Sequence, residues 1–209
     1  MSRARDGFSK PKIARYTKNS DGTVTYSQYQ PLAMGVSVDL SITTSDNVKF
    51  RADNVDAISA PAKFTGGTAT FALTEPESEV DNFVFGLGTP DSDGGVNFDE
   101  SMNPPDVGLG YIIRYLESDG THTYRPIVLY KAKGVWDAEA AQTEGDTVTM
   151  EATNYKFNLF RSDAAGHAWR YRGGFLESEE AAEAILAAKL GGTTQQGGQT
   201  QQGGNTQEH

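Results

Sequence analysis

Cysteine is absent from the 209 residues of this chain. Disulfides, a thiol nucleophile and a thiolate metal site are therefore excluded, and a reducing compartment is compatible. Histidine occurs only at His122, His167 and the terminal His209. His122 and His167 stand in strand-like runs beside aromatics, with no partner residue suggested, so they read as packing or surface histidines and not as general bases. No apolar run approaches the ~20 residues that span a bilayer. The start, MSRARDGFSKPK, is basic with no apolar stretch behind it, unlike a secretory leader. These absences lead us to expect a soluble protein made in the cytoplasm, with no membrane anchoring. Lys and Arg are missing from Phe64 to Ile113, a span holding Glu75, Glu77, Glu79, Asp81, Asp91, Asp93, Asp99, Glu100 and Asp106. A protein that neutralises phosphates needs a basic stripe. The part expected to fold shows none, which disfavours ordinary nucleic-acid binding.

What is present suits one domain with a sizeable core, at 37% hydrophobic residues and a formal net charge of -10. Arg3, Arg5, Lys10, Lys12, Arg15 and Lys18 crowd the first eighteen residues against Asp6 alone. The organisation expected is a basic N-terminal arm over 1–12, a domain over 13–190 and a low-complexity Gly/Gln/Thr tail over 191–209. Within the domain, 43–61 reads as a long loop or extended hairpin with VKFRA as a short strand, and 88–106 as an acidic loop. The arm and the acidic segment are either solvated or docked on neighbouring copies. The tail has no apolar residue and cannot offset its ordering entropy alone in water.

Strand patterns dominate. Asp21-Gly22 separates two Tyr/Thr/Val-rich segments, a hairpin signal. VSVDLSI alternates Val36, Val38, Leu40 and Ile42 against Ser37, Asp39 and Ser41, so one face is core and the other wet. FTGGTATFAL, GLGYIIRYL, HTYRPIVLYKAKGVW and GDTVTMEAT read as further strands. Two helices are predicted. One opens with Thr74 and Glu77 as a capping box and Pro76 in the first turn, runs through Val80, Phe83, Val84 and Leu87, and stops at Gly86 and Gly88. The other starts at Ser178 as N-cap, carries Glu179 and Glu180 at its positive end, and continues to Leu190 and Gly191. The fold class is α+β, mainly β, with one or two flanking helices.

Chemistry-bearing motifs are few. GLGTPD from Gly86 has Asp91 where a dinucleotide-binding loop needs glycine. DSDGGVNFDE departs from a calcium loop at Gly95 and Val96, leaving only an irregular Ca²⁺ candidate of Asp91, Asp93 and Asp99. Asp99 and Glu100 are adjacent in sequence, which does not give the opposed geometry of a glycosidase pair. No catalytic residue and no cofactor is expected.

The order of IARYTKNSDGTVTYSQYQPLAMGVSVDLSI, KFTGGTATFAL, PPDVGLGYIIRY, YRPIVLYKAKGVWDAEAAQTEGDTVTMEA and WRYRGGFLESEEAAEAIL resembles the major tail tube protein of long-tailed, non-contractile bacteriophages, over roughly Ile13 to Leu190. FTGGTATF, GLGYI, YRPIVLYKAKGVW and EGDTVTMEA in succession are its most specific pieces. The segment from Gly88 to Pro105 is longer and more acidic than the resemblance leads one to expect. The Gln/Gly/Thr end stands where some relatives carry an immunoglobulin-like decoration.

The resemblance implies a twisted β-sandwich with flanking α-helices, whose strands complete an inter-subunit β-barrel in a hexameric ring. Rings stack into a virion tail tube through which the genome passes into the host. The implied partners are copies of the chain itself, a tape-measure protein, and tail terminator and tail-tip proteins, with DNA crossing the lumen without specific binding. Candidate lumen positions are Ser37, Asp39, Ser41, Thr147, Thr149 and Glu151, although alternation fixes sides and not which side is lumen. Asp46, Lys49, Arg51, Asp53 and Asp56 would lie in an inter-ring loop. The alternative is a β-sandwich carbohydrate-binding or adhesin-like module using Trp136, Trp169 and nearby tyrosines.

Overall fold

A computed structural model describes residues 2–52, 55–87, 91–93, 95, 102–135 and 152–192. Ten strands and two helices follow in the order β1 (Arg3–Lys18), β2 (Val24–Pro31), β3 (Gly35–Thr44), β4 (Val48–Ala52), β5 (Val55–Ala60), β6 (Phe64–Leu73), α1 (Ser78–Phe85), β7 (Asp106–Glu117), β8 (His122–Val135), β9 (Thr153–Phe160), β10 (Arg170–Arg172) and α2 (Glu179–Lys189). The chain is mainly β with two helices. Eight strands form one antiparallel sheet in the order β2-β1-β7-β8-β9-β6-β3, with β10 pairing β8 beside β9. Among the described strands, β4 and β5 pair only with each other. The VKFRA strand and the extended hairpin expected in 43–61 are both present.

In place of two separate sheets, a single open sheet curls over its own face. Strands β7 and β6 are three places apart in the order, roughly 14 Å if the sheet were flat. Yet the Tyr111 and Phe71 rings meet edge-on with centroids 5.7 Å apart, and Phe8 of β1 touches both. Phe71 also packs on Phe157 of β9. The core lies inside this curl and is filled by Ile13, Phe71, Leu109, Ile127, Leu129 and Phe157, each fully buried.

Each helix seals one apolar surface. In α2, Ser178 caps the N-terminus by accepting from Ala181 N at 3.2 Å. The buried stripe Ala182, Leu186 and Leu190 lies on Ala14, Ile112 and Val128, on the outer side of β1, β7 and β8. The contact is close because β7 has no side chain there: a Cβ on Gly110 would stand 2.9 Å from Leu190 Cδ1, and one on Gly108 2.5 Å from Tyr26. Helix α1 ends at Gly86, whose φ of 68° places it in the left-handed region that glycine tolerates. Its start corrects the expected capping box. Thr74 N donates to Met34 O at 2.9 Å and the Thr74 hydroxyl accepts from Met34 N at 3.3 Å. That hydroxyl is thus spent on the 32–34 connection, and the helix begins at Ser78 with no side-chain cap.

Two further expectations change. Residues 3–12, read as an arm, are the first part of β1 and pair with β7 from Arg3↔Glu117 onward. Strand β9, TNYKFNLF, was not expected. It buries Tyr155, Phe157 and Leu159 by strict alternation. GDTVTMEAT lies almost wholly outside the described residues, as does the tail after Gly192.

Candidate functional site

Among the described residues, no group of three His, Cys, Asp or Glu is arranged to hold a metal. Asp91 and Asp93 are exposed in a turn closed by Asp91 N donating to Gly95 O at 2.8 Å. Asp99 lies outside the described residues. His122 is exposed and bonds Asp6, while His167 Nδ1 is 3.0 Å from the Ser162 carbonyl in the turn after β9. Trp169 has one ring face stacked on Phe64, 4.4 Å between centroids and 3° apart in plane. Trp136 is outside the described residues. No described helix is long and apolar enough to cross a membrane.

A different surface draws the sequence-predicted residues together. Ser37, Asp39 and Ser41 are exposed on β3, while Val38, Leu40 and Ile42 are half-buried against the core. Val36 breaks the expected pattern: the register slips between Gly35 and Ser37, so Val36 bulges out and is 61% exposed. Antiparallel pairing then extends the wet face across three strands. Ser37 faces Ala72, which faces Asn154; Asp39 faces Thr70, which faces Lys156; Ser41 faces Thr68, which faces Asn158. The C-terminal part of β8 adds a fourth column, with Val135 opposite Lys156 and Lys133 opposite Asn158.

This face is built mostly of small, uncharged polar groups. Its middle row carries Asp39 and Lys156 two strands apart, about 10 Å, which is near the screening length of physiological salt. Their fields largely offset, so the row is close to neutral and not the acidic band that Asp39 alone suggests. Asn154, Lys156 and Asn158 were missed with β9, although the alternation Tyr155, Phe157, Leu159 signals them. Thr147, Thr149 and Glu151 lie outside the described residues.

The border of the face is a strand edge. β3 is last in the sheet order, and no described strand pairs its other side. From Ser37 to Thr43 it pairs with β6 without slippage and contains neither Pro nor Lys. Natural edges are usually blunted by such residues or by bulges. At the far end of the sheet, β2 shows those devices: Pro31 closes it, Gln28 has a φ of 53°, and its ladder with β1 slips between Ile13 and Arg15. Beside the start of the β3 edge stand Met34, 72% exposed, and Val36.

Of the loop candidates, Asp46 is exposed just before the β4–β5 hairpin. Lys49 pairs with Ser59, and Arg51 with Asp56, across that hairpin. Asp53 lies outside the described residues.

One polar hub lies on the same outer side, at the β8–β9 border of the face. Asp163, in the turn after β9, accepts from Lys131 Nζ at 2.6 Å, Tyr16 OH at 2.9 Å and Lys18 Nζ at 3.1 Å. The hydrogen bonds from Lys131, then Lys18 and Tyr16, hold its carboxyl well below the ordinary aspartate value. Burial opposes the charge on Lys131, but Asp163 and Asp106 outweigh it and leave the Lys131 pKa raised.

A scan against protein-family models finds no matching family, and a search of curated proteins finds no relative.

Proposed function

We propose that this chain is a tail tube subunit of a long-tailed phage, which joins copies of itself into hexameric rings that stack as the conduit for the genome. The observation that carries the reading is the β3 edge, unpaired by any described strand and free of slips from Ser37 to Thr43, bordering a polar face. An edge of that kind is a template for another strand, and joining it to a neighbouring copy would satisfy its backbone groups while continuing the polar face from subunit to subunit. Four strands per copy, β3, β6, β9 and the end of β8, would give about 24 in a six-membered ring. With strands ~4.8 Å apart and tilted ~40°, the backbone diameter is near ~50 Å. A duplex still passes after side chains are added.

The wall works by not binding. DNA carries one negative charge per ~1.7 Å, and each basic group that neutralises a phosphate releases counterions and adds affinity. Rows of Ser, Thr and Asn dominate the face, with Asp39 and Lys156 in one row and Lys133, which donates to Asn103, in the β8 column. With so few cations per copy the wall offers little attraction, and transit is passive. The β4–β5 hairpin, which no other described strand pairs, is available to reach an adjacent ring. A tape-measure protein inside the tube, with terminator and tip proteins at its ends, completes the virion tail in this reading.

Negative-stain microscopy of the purified full chain tests it. Rings or tubes of six-fold symmetry are expected. A protein that stays monomeric at high concentration and binds on a glycan array would overturn the proposal in favour of a carbohydrate-recognising module.

A further inference from the structure

The concave side of the β1-β7-β8-β10 half carries cations as well as core. Arg5 pairs across the ladder with Tyr115, Arg125 with Ile113, Arg170 with Leu129 and Arg172 with Ile127. All four partners belong to the inner core. Residues directly opposite each other share a face, so the four arginines lie on that face too. Nearby Arg3 and Arg114 are matched, by Glu117 and Asp6. Arg5, Arg125, Arg170 and Arg172 meet no carboxylate among the described residues.

One buried polar atom on this face lacks a partner: Arg170 Nε is buried and unbonded, while Tyr115, 5% exposed, has the side chains of Arg172 and Arg5 at its hydroxyl. Burial pushes the Tyr115 pKa up, yet the guanidinium groups of Arg172 and Arg5 outweigh it and the net shift is downward. Arg170 and Arg5 also pull against burial at Tyr111. Positive charge thus runs along this face, from Arg5 opposite Tyr115 to Arg170 opposite Leu129, in a chain whose net charge is -10. Repulsion among unmatched guanidinium groups is relieved when an anion enters, and arginine's planar fork suits carboxylates.

We propose that this arginine-lined face is a carboxylate receptor filled by the acidic segment of a second copy of the chain. Glu77, Glu79, Asp91 and Asp93 of that segment are exposed. α1 packs against Gly134 of β8, five residues from Leu129, the partner of Arg170, and nine from Arg125, so about 17 to 30 Å along a strand separates the same molecule's helix from the four arginines. The contact therefore joins unlike surfaces of two copies and repeats head to tail. It rests on the tube reading and supplies the chemistry of one contact between subunits.

The test uses full-length protein followed by sedimentation and negative-stain microscopy between low and high NaCl. Arg5→Gln with Arg172→Gln should raise the concentration needed for assembly about tenfold or more and flatten its salt dependence. Arg5→Glu with Arg172→Glu should fail alone, as should Glu77→Arg with Glu79→Arg. Mixing those two charge-reversed proteins should restore assembly, because each receptor then meets its complement. Unchanged assembly of the glutamine variant overturns the proposal. So does a mixture that stays apart while both components keep wild-type circular dichroism. Should wild-type protein never assemble, the tube reading fails by itself, and the receptor is judged by titrating the monomer with a synthetic peptide of residues 74–106. Saturable binding that the glutamine variant loses supports the receptor; absence of binding overturns it.

Discussion

Replacing Asp163 by Asn keeps the size of the hub and removes its charge. Among the described residues, Lys131 then retains Asp106, at 3.3 Å, as its one anionic neighbour. The Lys131 and Asp163 side chains are 18% and 23% exposed, so their 2.6 Å contact is a shielded charge-assisted bond, worth about 1.5–3 kcal/mol. Lys18 is 60% exposed and adds at most about 1 kcal/mol. Asn can still accept from Tyr16, which limits the loss. The expected net is about 2 kcal/mol, or about 4–8 °C in melting temperature for a chain of this size. The effect has a pH signature with a definite sign. The folded carboxyl is depressed, so its stabilisation is complete above the unfolded aspartate value and is lost as pH falls toward the folded one. The gap between wild type and Asp163→Asn should be constant above about pH 5 and shrink as pH drops below the ordinary 3.8. Thermal circular dichroism from pH 7 to pH 3 measures both. A gap under about 1 °C at pH 7, or one that does not narrow in acid, would refute the reasoning.

Three other outcomes are expected. Met34→Lys with Val36→Lys should leave the melting temperature within about 1 °C, since both side chains are exposed, yet abolish assembly seen by sedimentation, because charges would stand at the proposed joint. Asp39→Lys leaves two cations in the Asp39–Lys156 row; particles carrying it should eject DNA more slowly, and unchanged ejection kinetics would remove β3 from the wall. Gly110→Ala puts a methyl within 2.9 Å of Leu190 and should cost about 1–3 kcal/mol through overpacking, which chemical denaturation would read.

Local signals were legible where one residue decides the geometry. Ser178 fixes the start of α2, Gly86 the end of α1, and VKFRA is β4 to the residue. Alternation in β3 correctly separated Ser37, Asp39 and Ser41 from the core. What escaped was set by contacts distant in sequence. Thr74 offers a cap by itself, but Met34, 40 residues away, claims its hydroxyl. β1 hides its period because two slips, between Arg5 and Gly7 and between Ser9 and Lys12, shift the faces, with Lys10 at a φ of 52°. The arginine cluster was invisible for the same reason: Arg5, Arg125 and Arg172 become neighbours only through the ladders of β1, β7, β8 and β10.

The pairing of β1 with β7 bears on how the chain is made. Arg3 finds its partner in Glu117, and β8, next in line, takes its other neighbours from β9 and β10. Emerging from the ribosome, the first strand can close with β2, but its second ladder must wait for more than half the polypeptide, a slow search over a long loop. A product terminated before β7 would lack that ladder, and one terminated before β9 would leave β8 without its pairing from Lys131 to Val135, so neither could complete the curl.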